Sequence, residues 1–356
     1  MHVAFDAVAV KPGSAAIALD NLLRGWLALD AGDRLTLLCA DEPPFAPPAG
    51  VEIETVSTPP LGKAKALWLR SVGVRRAARR LSADGVVSAI TASALLGAPC
   101  PHGVILHDLR HEHRPEQFSR SRRLGRRLSY GWSFRMADAV YCVSQRTRDD
   151  FLRGRPALTT KAVVSRNGAD HVDAWPAPAP DAMAPYALAF GQFANKNVTA
   201  VLDAWALFCE EDEQLTLRLV GMSRTDREEA IRRVAALGIA DRVELMPWLD
   251  EAEFVRCFTG AALVVFPSDF EGFGLPAVEA LRLRIPLVVS DDRALEEVTG
   301  GHAAVVRDVQ PETLVKAMRE ALARTPEELA AGRAHTDQFR WRAMAATIRE
   351  DLQARR

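Results

Sequence analysis

Long apolar runs are missing from this 356-residue chain: none exceeds seven residues, far below the ~20 needed to span a bilayer as a helix. The opening MHVAFDAVAV has no basic segment ahead of an apolar one, so no secretory leader is expected and the stretch reads as a first strand. Cysteine is sparse as well. Cys39, Cys100, Cys142, Cys209 and Cys257 are odd in number, widely scattered and without a C-x-x-C pair, which argues against a disulfide framework or a structural zinc and for a reducing cytosol. The sequence also lacks G-x-S-x-G, G-x-x-x-x-G-K-[ST], H-E-x-x-H and G-x-G-x-x-G, so nucleophile-elbow hydrolases, P-loop enzymes, zincins and simple dinucleotide binders are not indicated.

What is present is an ordinary globular composition, 48% apolar and 26% charged, in a chain long enough for two domains. The net charge of −1 hides an asymmetry. Residues 1–180 hold 24 Lys and Arg against 17 Asp and Glu, and the remainder holds 21 against 29, so the front is basic and the back acidic.

Short β-branched runs recur with room for a helix between them. Strands are expected near Val3–Phe5, Leu35–Cys39, Val51–Glu54, Val86–Ala89, Val104–His107, Ala139–Val143 and Ala162–Ser165 in the front half. In the back half they are expected near Leu188–Phe190, Leu215–Val220, Val243–Met246, Leu263–Phe266 and Leu287–Ser290. Amphipathic stretches such as Ala200–Phe208 and Glu228–Leu237 lie between, the latter closed by Gly238. This alternation predicts an α/β protein of parallel sheets wrapped by helices, which bind ligands beyond the carboxyl ends of their strands. From Asp173 to Pro185 the chain carries Pro176, Pro178, Pro180 and Pro185, incompatible with a continuous helix or a central strand, so it reads as a linker between two domains. A cleft between them is the expected ligand site.

The strongest chemical signal is VVFPSDFEGFGLPAVEAL, residues 264–281. A buried strand stops at Pro267, a polar loop with Gly272 and Gly274 follows, and Pro276 suits the first turn of a helix. Backbone N–H groups around Phe273, Gly274 and Leu275 would then face an anion, while Glu271 in the loop and Glu279 one turn into the helix supply carboxylates for sugar hydroxyls. Glycines that merely turn the chain are the plainer reading, but strand, glycines, proline and spaced glutamates coincide here.

This segment resembles the paired-glutamate signature of retaining glycosyltransferase family four, of GT-B fold. KNVTAVLDAWALF, LRLVG, RVELMPWLDEAEFVRCF and PLVVSDDRALEEVTGGHAAVV are similar to the family's successive donor-side elements. QFRWRAMAATIRED resembles the helix that crosses back to the first domain, and VILHDLRHEHRPEQFS with ADAVYCVSQRTRDDF resembles the mannosyltransferase-like subgroup acting on bacterial surface polysaccharides. The resemblance covers about nine-tenths of the chain. It implies two Rossmann-like domains facing a cleft: an acceptor-side domain of residues 1–175 completed by a crossing helix at 340–356, and a donor-binding domain of 176–339.

It further implies a hexosyltransferase using a nucleoside-diphosphate sugar, with no metal and no other cofactor. Glu279 would hold the donor ribose, Glu271 a sugar hydroxyl, and Lys196 the leaving diphosphate. Phe273, Gly274, Leu275, Gly191 and Gly221 would line the donor. His107 would orient the sugar or stabilise charge at its anomeric carbon; the plainer reading is a satisfied core histidine. Clustering of His107, Asp108, His111 and His113 also suggests metal ligands, but flanking arginines and the lack of a cysteine partner weigh against that.

Three family features are missing. The glycine-rich loop after the first strand is reduced to Lys11–Ala15, a glycine before Pro286 is replaced by Arg284-Ile285, and Gln192 or Asn195 stands where an arginine accompanies the phosphate lysine. Arg224 is a candidate substitute. A silent nucleotide-sugar-binding partner and a nucleotide-sugar epimerase are the alternative functions. Finally, Arg110 to Arg135 holds eight arginines against Glu112 and Glu116, with Phe118, Leu124, Leu128, Tyr130 and Trp132 interleaved. A solvated basic face is one reading, and peripheral contact with an anionic membrane or a lipid-linked acceptor at its cytoplasmic face is another. Nucleic acid is not an expected partner.

Overall fold

Strands whose residues are apolar on both faces need helices on both sides, and the chain builds two such sheets, every strand pair parallel. The computed structural model describes residues 1–60, 62–177, 185–192, 194–210 and 214–356. Two compact units emerge, Met1–Gly168 with Phe339–Arg356, and Ala169–Gln338.

The first unit runs β1 (His2–Asp6), β2 (Arg34–Cys39), β3 (Val51–Thr55), β4 (Gly85–Ser88), β5 (His102–Leu106), β6 (Ala139–Cys142) and β7 (Ala162–Val164), ordered β3-β2-β1-β4-β5-β6-β7. Central strands such as β4 and β5 are buried at every position, whereas edge strand β3 exposes Glu52, Ile53 and Thr55. The C-terminal helix Trp341–Ala354 completes this unit. It packs on the helix Ser14–Leu27 so closely that a Cβ at Gly25 would lie 2.5 Å from the Trp341 carbonyl. Arg349 Nε bonds Asp33 at 2.6 Å and Tyr141 donates its hydroxyl to Asp351 at 3.0 Å, fixing the helix against the sheet.

The second unit runs β8 (Tyr186–Phe190), β9 (Thr216–Val220), β10 (Val243–Leu245), β11 (Leu263–Phe266), β12 (Leu287–Ser290) and β13 (Ala304–Val306), ordered β10-β9-β8-β11-β12-β13. Its helices start and stop where the sequence indicates. Ser223 caps the helix Arg224–Leu237 through Asp226 N–H, Gly238 closes it in the left-handed conformation, and Asp250 with Glu253 forms a capping box on Glu251–Thr259. Trp205 and Phe208 stack in the core beneath β9.

Both sheets share one plan: the first and fourth strands of each unit are neighbours, and the chain winds outward from them in opposite directions. The crevice at the carboxyl ends of those two strands is the topological switch point. Every expected strand is present, and β13 is an addition. The amphipathic stretch Ala200–Phe208 lies inside the helix Val198–Cys209, which Asn197 enters from the left-handed region (φ 53°) after Ala194–Lys196 forms a separate 3-10 turn. Of the proline-rich stretch, residues 178–184 lie outside the described residues, and its first residue, Asp173, belongs to the short helix Asp170–Ala174. No helix among the described residues is long and apolar enough to cross a membrane.

Candidate active site

In the second unit the switch point lies between β8 and β11, and their following loops are tied together by one buried side chain. Asn195, 2% exposed, donates from Nδ2 to Ser268 Oγ (2.7 Å), the Phe270 carbonyl (2.9 Å) and Glu271 Oε1 (3.2 Å). Its own carbonyl accepts from Asp269 N–H at 3.0 Å, and Asn197 Nδ2 donates to the Pro267 carbonyl at 2.8 Å. The side-chain NH2 shares its two N–H donors among these acceptors, while the backbone carbonyl of Asn195 supplies the acceptor that completes the tie between the loops. Of the two positions, Gln192 and Asn195, that stand in for the missing arginine, Asn195 therefore shapes the Glu271 loop.

Lys196 and Glu271, assigned separate tasks from the sequence, form an ion pair. Lys196 Nζ also lies 4.0 Å from the centre of the Phe266 ring. With side-chain exposures of 12% and 16%, neither is a solvated surface charge. Partial burial and the cation–π contact strengthen such a pair beyond its surface value.

The helix Leu275–Arg282 follows, with Gly274 entering it at φ 89°. A Cβ on Gly274 would lie 2.5 Å from Leu295 Cδ2, so backbone angle and close approach both require glycine there. Pro276 sits in the first turn, whose N–H groups have no intrahelical acceptor. Phe273 is buried at 3% and Leu275 is half-buried. Gly191 receives its backbone bond from the end of β9, donating to Val220 O at 2.8 Å, and its missing Cβ leaves room for Met222. Gly221 turns the chain after β9 at φ 78°.

Glu279 is held apart from this cluster. Its carboxylate, 7% exposed, meets His171 Nε2 at 3.1 Å. One turn on, the fully buried Arg282 side chain bonds Asp173 from Nε (2.9 Å) and Nη2 (2.5 Å), and the Thr336 hydroxyl from Nη1 (3.2 Å). His171 and Asp173 both lie on the short helix Asp170–Ala174, which thus docks on the helix carrying Glu279.

His107 lies in the first unit, just past β5. Its Nε2 bonds the Ala89 carbonyl at 2.9 Å, and burial lowers its pKa below the usual imidazole value, so the ring is neutral with Nε2 protonated and Nδ1 carrying a lone pair. The other histidines diverge from it: His111 approaches Glu112, and His113 approaches Asp150. Among the described residues no group of three or more His, Cys, Asp or Glu could hold a metal ion.

The basic stretch splits in two. Arg110 and Arg126 both lie over the Phe118 ring, at 5.3 and 5.0 Å from its centre. The helix Arg120–Met136 instead turns Leu124, Leu128 and Trp132, four residues apart, to solvent at 59%, 65% and 51% exposure.

The structure thus gathers Lys196, Glu271, Phe273, Gly274, Leu275, Gly191 and Gly221 around the carboxyl ends of β8, β9 and β11, and gives Glu279 its own partner. Asn195 as a loop organiser, Phe266 beneath Lys196, and His171 went unrecognised in the sequence. Only the Asn195 position had drawn notice, as the place of a lost arginine.

Residues 176–336 match the family described as Glycosyl transferases group 1, and residues 15–172 match Glycosyltransferase Family 4. Among curated proteins, the MMP alpha-(1->4)-mannosyltransferase of Mycolicibacterium hassiacum is 32% identical over 168 residues, 45% of this chain and 40% of that protein. The matched segment spans less than half the length of such relatives. Among solved structures, sucrose-phosphate synthase from Thermosynechococcus elongatus superposes with a TM-score of 0.79 at 18% identity, covering 99% of this chain and 98% of that one. Anabaena HepE in complex with UDP-glucose gives 0.77 at 20% identity, covering 99% and 100%. These structures share the fold of this chain along nearly its whole length.

Proposed function

We propose, for a chain that belongs to the family-four and group-one glycosyltransferases along both its units, that it transfers a mannose- or glucose-type hexose from a nucleoside-diphosphate sugar to a saccharide or lipid-linked acceptor. The observation that carries this reading is the Lys196–Glu271 pair, set by Asn195 at the switch point of the second unit. Donor binding exchanges that pair for two better-matched contacts: Glu271 takes a sugar hydroxyl, and Lys196 takes diphosphate oxygens as charge accumulates on the leaving group. The first-turn amides at Gly274 and Leu275 add fixed dipoles toward the same anion. Glu279, oriented by His171, accepts from the ribose hydroxyls.

In this reading the anomeric configuration is retained and departure is assisted without a metal. His107, anchored through Nε2, keeps an unprotonated Nδ1 whose lone pair is suited to stabilising charge at the anomeric carbon of an oxocarbenium-like state. Residues 1–175 with 340–356 form the acceptor side, and 176–339 the donor side. The relative names support the hexose class, since one is a mannosyltransferase and a structural neighbour holds UDP-glucose. The exposed Leu124–Leu128–Trp132 stripe, flanked by Arg120, Arg123 and Arg127, supports peripheral contact with an anionic membrane at its cytoplasmic face.

The test is nucleotide release from UDP-, GDP-, ADP- and dTDP-hexoses, with and without saccharide acceptors. One donor should turn over, faster with acceptor, and Glu271→Ala should abolish transfer while the melting temperature stays within a few degrees. Donor binding without turnover under any acceptor would favour a silent binding partner. An epimerised donor formed by the protein alone would favour an epimerase.

A further inference from the structure

A second concave surface lies wholly in the first unit and has no part in the donor site. A groove of about 450 Å³ is lined by His111, Glu112, Arg120, Arg123, Arg127 and Arg155, a size suited to a small polar ligand. Four guanidinium groups face one carboxylate there.

Two observations separate this groove from an ordinary solvated basic face. First, His111 is 2% exposed, yet among the described residues neither ring nitrogen has a hydrogen-bond partner, and the Glu112 carboxylate stays 3.7 Å from Nε2. The ring is fixed edge-on against Tyr130, with centroids 4.9 Å apart. A buried polar side chain left unmatched on the wall of a cavity points to a ligand that completes it. Second, Arg120 and Arg123, both lining the groove, occupy the first turn of the helix Arg120–Met136, which contains no acidic residue. Cations at the positive end of a helix dipole are unfavourable by about 0.3–1 kcal/mol each, and a bound anion reverses that sign.

Arg155 is already in place. Glu112 holds its guanidinium, which also lies 5.0 Å from the Phe134 ring centre and 5.6 Å from that of Phe151. Arg123 and Arg127 lie one helical turn apart on the opposite wall, each with a planar donor fork matched to phosphate oxygens.

We propose that this groove binds a phosphate or diphosphate group, and that the group belongs to the acceptor, borne either on a lipid or on a soluble phosphorylated saccharide. Only the word acceptor rests on the transferase reading; the anion site stands on the groove alone.

The experiment is calorimetric titration of the full chain with inorganic pyrophosphate at low ionic strength, repeated on three variants. Arg123→Gln/Arg127→Gln strips one wall. Arg122→Gln/Arg135→Gln removes equal charge from the same helix away from the groove, and Lys196→Gln alters the donor site. All four arginines are exposed, so both double variants should fold as the parent does. The expected result is at least a roughly tenfold loss of affinity in Arg123→Gln/Arg127→Gln, about 1.4 kcal/mol, with less than about a twofold change in the other two. Equal losses in the two arginine variants, loss only in Lys196→Gln, or no binding to the parent would each overturn the proposal.

Two further arms identify the source of the anion. Cosedimentation with phosphatidylcholine vesicles containing phosphatidic acid, competed by pyrophosphate, marks a lipid headgroup. Pyrophosphate binding without vesicle capture marks a soluble phosphate ester. Donor turnover without acceptor should be unchanged in Arg123→Gln/Arg127→Gln. If no donor turns over even with the parent, the transferase reading fails, while the pyrophosphate titration still decides the groove.

Discussion

The two units place their first and fourth strands side by side in the same order, yet they furnish the carboxyl ends of those strands differently. In the first unit, β1 ends in Asp6, which is 1% exposed and accepts from the Ser88 hydroxyl at 2.8 Å. Ser88 in turn meets His102 Nε2, 3.0 Å away on β5. Burial raises the Asp6 pKa and lowers that of His102 to about 4, so both are driven toward their neutral forms. In the second unit the corresponding strands lead to Lys196 and Glu271, partly buried and charged against one another. A shared strand order fixes where a site forms, and the loop residues decide whether it is a closed structural knot or a charged cradle.

The largest expected effect breaks the cradle. Replacing Glu271 with Gln keeps its shape and its bond from Asn195, but removes the charge that pairs with Lys196 and grips the sugar. A loss of about a hundredfold to a thousandfold in transfer rate is expected, in line with deleting a transition-state contact. Ser88→Ala, the matching change in the first unit, should leave the rate unchanged. A comparable rate loss from Ser88→Ala would end the contrast between the units.

The closed knot should instead govern acid stability. His102 is neutral when folded, with a pKa of about 4 against about 6.5 when unfolded, so the unfolded chain gains a proton as pH falls below about 6.5. Stability present at neutral pH is therefore lost progressively down to about pH 4, by about 3 kcal/mol in full. Asp6 works in the opposite sense, because its raised pKa penalises the fold at neutral pH and the penalty lifts on acidification. Neighbouring Asp138 favours protonation of His102 and Lys161 opposes it. The effect is accordingly read as a difference: urea denaturation of the parent and of His102→Gln at pH 7 and pH 4.5. The parent should lose more stability than the variant, and equal losses would exclude His102 as the sensor.

How much of this contrast was legible in the sequence depends on range. The strands declared themselves through short runs of Val, Leu and Ile, and helix ends through Ser223, Asp250 and Gly238. β13 escaped because it is only three residues long and exposes Val305 at 40%, leaving no clear pattern to read. Glu271, Gly274 and Pro276 were legible because one contiguous segment carries strand, turn and helix start. The Lys196–Glu271 pair spans 75 residues, and the His171–Glu279 contact spans 108. Neither distance leaves a local signature. The loop-joining role of Asn195 went unseen for the same reason, since its three bonds reach residues 73 to 76 positions away.

A smaller effect concerns the support behind Glu279. Arg282 has a fully buried side chain, while its partners Asp173 and Asp337 remain 39% and 55% exposed. Arg282→Met therefore strands no buried carboxylate, and the loss should be about 2 kcal/mol rather than the larger penalty of an orphaned buried charge. Thermal unfolding measures it. Because the same helix carries Glu279, the donor KM should rise while kcat changes less. Loss of stability without any rise in KM would confine Arg282 to structure.

The smallest expected effect tests what took over from the missing arginine. Arg224 was the candidate, just beyond Gly221, but its side chain is 94% exposed at the start of its helix and meets Glu228 in an i,i+4 pair at 3.2 Å. Such a pair contributes at most a few tenths of a kcal/mol. If Lys196 and the first-turn amides carry the diphosphate charge by themselves, Arg224→Ala should change transfer by less than about twofold, a free-energy difference under about 0.5 kcal/mol. A tenfold fall in kcat with unchanged donor affinity would mean that this guanidinium swings onto the leaving group in the transition state. The second unit would then owe its charged character to a mobile cation as well as to the fixed pair at Lys196 and Glu271, and the contrast with the closed knot of the first unit would widen.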